Sequence, residues 1–156
     1  VPEKIKEWRA RHLDAERTQS PAPVPQGHLA CGRPANLSDG ISMGGYGTWA
    51  WAAQDPQHFA AIAPIVFGIG REGPKAMTPD FDQWATNLAR ISVYAFVGAL
   101  DKTVPPERSA RRIAAIQKAG GKDARLKIYP EEGHNAGRVV VADQDYYNWL
   151  FAQKRD

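Results

Sequence analysis

Ser42 lies at the centre of Gly40-Ile41-Ser42-Met43-Gly44, and the segment runs on as Gly45-Tyr46-Gly47-Thr48-Trp49. A serine between glycines at this spacing fits a sharp strand-to-helix turn, where its hydroxyl points out of the fold and can attack a carbonyl. On that reading both flanking glycines are needed, because a side chain there would clash with the neighbouring strand and helix. The amide of Met43, next in the chain and at the start of a helix, would be placed to stabilise an oxyanion. Standing alone, the pattern fits a plain glycine-rich turn before a helix equally well.

A serine nucleophile needs a base, and the base needs a group to orient it. Downstream, Val93-Tyr94-Ala95-Phe96-Val97-Gly98-Ala99-Leu100-Asp101 is an apolar run, rich in aromatic and β-branched residues, that ends on a carboxylate. Farther on, Arg125-Leu126-Lys127-Ile128-Tyr129-Pro130 alternates like a short strand and leads into Glu131-Glu132-Gly133-His134. Two strands that each end in a loop with a polar residue match the placement of chemistry beyond the carboxyl ends of open α/β sheets. Taken singly, Asp101 also reads as a cap for the helix beginning near Pro105 and Pro106. His134 also reads as a solvated loop histidine. His12, His28 and His58 have no comparable setting.

Three ordered blocks carry a resemblance to the α/β-hydrolase superfamily: Ser42-Met43-Gly44-Gly45-Tyr46-Gly47-Thr48-Trp49, Gly98-Ala99-Leu100-Asp101-Lys102-Thr103-Val104-Pro105, and Glu132-Gly133-His134-Asn135. The group most resembled is that of dienelactone hydrolases, carboxylesterases and prolyl-oligopeptidase-like enzymes. The C-terminal Tyr146-Tyr147-Asn148-Trp149-Leu150, followed by Gln153-Lys154-Arg155, resembles the closing helix of such proteins. The likeness covers residues 40 to 155. It implies Ser42 as nucleophile, Asp101 as the acid that orients the base, His134 as general base, and the Met43 amide as an oxyanion donor. It also implies an ester or peptide substrate and an acyl-enzyme intermediate, with no cofactor or metal.

The elements after Ser42 alternate as that fold requires. Tyr46 to Gln54 reads as a largely buried helix stopped before Pro56, and Phe59 to Phe67 as a buried parallel strand. Residues 68 to 80, with Gly68, Gly70, Gly73, Pro74 and Pro79, read as a loop and a candidate substrate wall. Asp82 to Ala89 predicts a short helix, Ile91 to Leu100 a strand, and Glu107 to Ala119 a helix stopped by Gly120-Gly121. A last helix over 143 to 153 carries Tyr147, Leu150 and Phe151 at helical spacing, a stripe suited to core packing.

The first forty residues do not fit. The turn at Ser42 needs a strand feeding it, yet the stretch before it is Cys31-Gly32-Arg33-Pro34-Ala35-Asn36-Leu37-Ser38-Asp39, poor in strand formers. Ser20-Pro21-Ala22-Pro23-Val24-Pro25 is an extended linker, and Pro2 to Gln19 a charged helix candidate. The expected architecture is therefore α/β: a partial α/β-hydrolase fold, mainly parallel sheet with flanking helices, lacking its N-terminal strands. Residues 1–39 form an atypical segment and 40–156 the C-terminal part of a hydrolase domain. Such a sheet would expose an apolar edge, inviting self-association, and would lack the second oxyanion donor. Two functional readings follow: a serine hydrolase, esterase before peptidase, or a non-catalytic or partner-dependent fragment.

Composition narrows the rest. A chain of 156 residues suffices for one domain. The formal charge of +3 comes without a basic run interleaved with aromatics, so nucleic-acid binding has no support. The single cysteine, Cys31, forms no internal disulfide, and no cysteine–histidine spacing suggests zinc. No apolar stretch reaches the roughly 20 residues of a membrane span. The chain begins at Val1 rather than methionine, which points to a processed product or a fragment and leaves localisation open.

Overall fold

The computed structural model describes residues 36–67 and 81–154. The helix and linker expected over residues 2–25, the loop at 68–80, and His12, His28 and Cys31 lie outside the described residues.

Four parallel strands form one sheet in the order β1 (Asn36–Ile41), β2 (Phe59–Ile65), β3 (Ser92–Gly98), β4 (Ala124–Tyr129). Helices α1 (Met43–Gln54), α2 (Phe81–Leu88) and α3 (Glu107–Lys118) follow β1, β2 and β3 in turn. After β4 come the short α4 (Gly137–Val140) and the closing α5 (Gln144–Ala152).

The two inner strands carry apolar residues on both faces, and β2 is buried along its whole length. On one face Trp49, Ala52 and Ala53 of α1, Trp84 and Leu88 of α2, and Ile113 and Ile116 of α3 pack over Ile62 and Val93. On the other, Val140 of α4 and Tyr146, Trp149 and Leu150 of α5 pack over Ala61, Ala63, Ile65 and Phe96. Of the stripe expected on the last helix, Leu150 is in the core, but its companions there are Tyr146 and Trp149 instead of Tyr147 and Phe151. Tyr146, Trp149 and Leu150 are buried, whereas Phe151 is 71% exposed.

The segment before Ser42, expected to be poor strand, is β1. Its residues Leu37 to Ile41 pair one for one with Ala61 to Ile65 of β2. The strand therefore starts four residues ahead of Gly40, and a boundary at 39/40 falls inside it. Its polar residues are tolerated because the strand is half exposed and, among the described residues, bonded on one side only. Pro64 occupies an interior strand, where it has no N–H for the ladder. The β2–β3 register accordingly runs through Ala61, Ile62 and Ile65 and skips Ala63 and Pro64.

Strand β2 ends two residues before the expected Phe67, because Val66 turns the chain at φ 46. A positive φ is a genuine outlier for a β-branched residue. Two hydrogen bonds brace the turn: Val66 N–H donates to the Phe96 carbonyl at 2.8 Å, and the Trp49 indole N–H donates to the Phe67 carbonyl at 2.8 Å. Helix α1 stops where sequence places its stop, at Asp55 before Pro56. Helix α3 ends before Gly120, whose φ of +94 suits glycine.

Candidate active site

Ser42 follows the last residue of β1 and precedes the first of α1, and its own backbone is strained, with φ 54 and ψ −115. That conformation is rare for any residue with a side chain. It is held by Ser42 N–H donating to the Ile65 carbonyl at 3.0 Å and by Tyr46 N–H donating to the Ser42 carbonyl at 3.0 Å. Two glycines let the turn close. A Cβ on Gly40 would lie 2.4 Å from the Gly44 carbonyl carbon, and one on Gly45 would lie 2.8 Å from the Ile65 carbonyl oxygen. Gly44, expected to be sterically required as a flank of Ser42, has nothing within 4 Å of its would-be Cβ. The steric demand falls on Gly40 and Gly45 instead.

Asp101 follows β3 and His134 follows β4, and the two loops are joined backbone to backbone. Ala99 N–H donates to the Tyr129 carbonyl at 2.9 Å and Leu100 N–H to the Glu132 carbonyl at 2.8 Å. Gly98 makes this approach possible, since a Cβ there would come within 2.3 Å of the Glu132 oxygen and 2.4 Å of the Gly133 oxygen.

The three residues expected from sequence meet beyond the carboxyl ends of the strands. Ser42 Oγ stands 2.8 Å from His134 Nε2. His134 Nδ1 stands 2.8 Å from Asp101 Oδ2. The Asp101 side chain is fully buried, while that of His134 is 33% exposed. The other carboxylate oxygen, Oδ1, accepts from the backbone N–H of Thr103 and of Val104, each at 2.8 Å. Both sequence readings of Asp101 thus have a counterpart. One oxygen faces the imidazole, and the other satisfies two amides of the loop leading to α3, although α3 itself has Pro106 at its cap position.

Chemically, this arrangement can remove the serine proton through Nε2 while a buried anion orients Nδ1–H and faces the imidazolium that forms. The Met43 amide lies at the first position of α1, directly after the serine. Among the described residues no His, Cys, Asp and Glu cluster could hold a metal ion, and no helix is long and apolar enough to cross a membrane. His58 is exposed at the opposite strand ends. A cavity of ≈ 480 Å³ also opens there, between Phe59, Ile91, Arg90 and Lys122, away from the serine.

Two polar groupings escape sequence inspection because their members are distant in the chain. Tyr129 donates to Asp143 Oδ2 at 3.0 Å, and Lys127 forms an ion pair with the same oxygen. Burial, then the bond to Asp143, pushes the Tyr129 phenol up to about 12. In the second grouping the Tyr146 hydroxyl donates to the Asp39 carboxylate.

Comparison with known proteins adds to the geometry. A model of the prolyl oligopeptidase family matches residues 80–154, a stretch that holds Asp101 and His134 but not Ser42. No curated protein matches the chain in sequence. Among solved structures, a thermostable esterase is similar at 28% identity with a TM-score of 0.62, over 76% of this chain and 31% of its own. A Klebsiella pneumoniae protein assigned as a dienelactone hydrolase is similar at 22% identity and TM-score 0.59, over 75% of this chain and 50% of its own. The acylaminoacyl peptidase of Pyrococcus horikoshii is similar at 17% identity and TM-score 0.56, over 77% and 24%. The last two likenesses are of fold alone. The chain spans half or less of the length of each of these structures.

Proposed function

Because this chain belongs to the α/β-hydrolase superfamily and holds part of that fold, we propose that it is a serine hydrolase acting through an acyl-enzyme on Ser42, with carboxylic esters as its substrate class. The observation that carries the proposal is the continuous hydrogen-bonded line from Ser42 through His134 to Asp101, with both links at 2.8 Å.

In this reading Ser42 Oγ attacks the ester carbonyl as His134 Nε2 takes its proton, and the Met43 amide faces the oxyanion. His134 returns the proton to the departing alcohol, then takes one from water so that hydroxide attacks the acyl-enzyme carbonyl. Collapse frees the acid and returns the proton to Ser42. Asp101 keeps the imidazole in the required tautomer throughout.

Treatment with a fluorophosphonate probe tests the assignment. Covalent labelling of the wild type, absent in Ser42→Ala and reduced in His134→Ala, is the expected result. A folded wild type that takes no label overturns it.

A peptidase of the prolyl-oligopeptidase type is the second reading, favoured by the family match over residues 80–154. Turnover of p-nitroanilide peptides faster than p-nitrophenyl esters would select it. A third reading, a chain inactive until a partner covers β1, draws on the one-sided pairing of that strand among the described residues. Labelling of Ser42 in a monodisperse monomer would exclude it.

A further inference from the structure

On β1, Leu37, Asp39 and Ile41 stand level with Ala61, Ala63 and Ile65 of β2, so the three lie on the side of the sheet where α4 and α5 pack, although Asp39 and Ile41 are exposed at its margin. An alternating strand calls for an apolar residue at the middle position, yet Asp39 stands there with its carboxylate exposed to solvent. That carboxylate is held by the hydroxyl of Tyr146, which donates to it from 107 residues away in the chain.

Tyr146 is well placed to act as a fixed post. It is 1% exposed, and its ring lies edge-on to Phe96, centroids 5.4 Å apart, and to Tyr147 at 4.8 Å. Burial and the Asp39 carboxylate hold its phenol well above the ordinary tyrosine value, so it stays a donor throughout the neutral range.

What the post holds matters because β1 is tied by a ladder on one side only among the described residues. A second grip lies beside it: Ile41 packs on Gly137, where a Cβ would sit 3.0 Å from Ile41 Cδ1. Gly137 opens α4, the helix reached three residues after His134. The same helical segment therefore touches the residue before the serine and continues from the loop that carries the histidine.

We infer that Tyr146 is a positioning residue for Ser42: by donating to Asp39 it fixes the strand that presents the serine to His134. The inference deepens the hydrolase reading and rests on it for its kinetic consequence, while its structural half stands on its own.

The test uses the full chain, with amide hydrogen exchange alongside fluorophosphonate labelling. Tyr146→Phe removes only the hydroxyl and leaves the ring in the core. Exchange of the Ser42 amide and its neighbours over 40–45 is expected to quicken by about fivefold, the equilibrium worth of one typical hydrogen bond, because water also reaches the Asp39 carboxylate. Exchange across β3 is expected to stay unchanged. The labelling rate at saturating probe should fall by a similar factor, with the concentration giving half-maximal rate preserved. Asp39→Asn, which keeps an acceptor, should retain most of the protection and rate, whereas Asp39→Ala should behave like Tyr146→Phe. Unchanged exchange over 40–45 in Tyr146→Phe would overturn the inference. So would a uniform rise over every strand, since that marks global stability alone, or equal loss in both Asp39 variants. A wild type that never labels defeats the hydrolase reading, and the exchange comparison still decides the role of Tyr146.

Discussion

A Cβ on Gly40 would meet the carbonyl carbon of Gly44 at 2.4 Å, while one on Gly44 would meet nothing within 4 Å. The two outer glycines of one short motif therefore have different physical reasons to be glycine. Gly40→Ala pushes a methyl into helix backbone, which cannot give way as a flexible side chain would, so a loss of about 3 kcal/mol or more is expected. Gly44→Ala is expected to be tolerated and to raise stability by about 0.5–1 kcal/mol through helix propensity. Urea denaturation of the two variants checks both.

Asp101 divides its labour between its two oxygens, and substitutions can separate them. Asp101→Asn keeps an acceptor for the Thr103 and Val104 amides but loses the anion that faces His134 Nδ1. Its labelling or turnover rate is expected to fall by roughly a thousandfold or more with a melting temperature close to wild type. Asp101→Ala also strands two loop amides, so a further stability loss of about 1–3 kcal/mol is expected. Parallel kinetic and thermal measurements distinguish the pair.

Gly98→Ala probes the junction of the two loops. The methyl would drive Glu132 and Gly133 from the β3 end, and with them His134. Labelling of Ser42 is expected to drop at least tenfold even where circular dichroism shows the sheet retained, since an ångström of misplacement at a reacting centre can cost about a hundredfold. Wild-type labelling in this variant would contradict the close approach.

The Asp143 cluster predicts an acid limb in stability. The hydrogen bond from Lys127 comes first among the causes that hold the Asp143 carboxyl below its ordinary 3.8. A carboxyl depressed in the folded state contributes stability that is full above the unfolded value and lost as pH falls through the folded one. Thermal stability should therefore decline below pH 3.8 in the wild type, and less steeply in Asp143→Asn. The pair is partly exposed, so salt should weaken the difference.

Much of this could be read from the chain, for identifiable reasons. Helices α1 and α3 end on local signals, Pro56 and Gly120-Gly121, β3 is an apolar run whose burial follows from its own composition, and β4 is a short alternating run stopped by Pro130. Asp101 and His134 could be placed because each follows such a strand within a few residues, and Ser42 because of the glycines around it rather than the strand before it. Strand β1 was not legible. Asn36, Ser38 and Asp39 argue against a strand locally, and what reverses the balance is pairing with Ala61 to Ile65 and a hydroxyl from Tyr146. The changed membership of the stripe on α5 has a similar cause. Tyr147 and Phe151 match the helical period as well as Tyr146 and Trp149 do, and only the position of Phe96 and Tyr94 selects between them. Arg112, buried in α3 with its guanidinium over the Trp84 ring at 5.5 Å, is likewise decided by a neighbour remote in sequence.

The zipper between the loops after β3 and β4 has a mechanical consequence. Asp101 and His134 sit on loops stitched directly to each other through Ala99, Leu100 and Glu132, whereas the corner that carries Ser42 reaches them indirectly, through Ile65, Val66 and Phe96 and through Ile41 against Gly137. The Asp101–His134 contact is thus spanned by a short path of backbone bonds and the Ser42–His134 contact by a longer one across β2. A substitution that loosens β1 or β2 is therefore expected to lengthen the second distance while leaving the first unchanged.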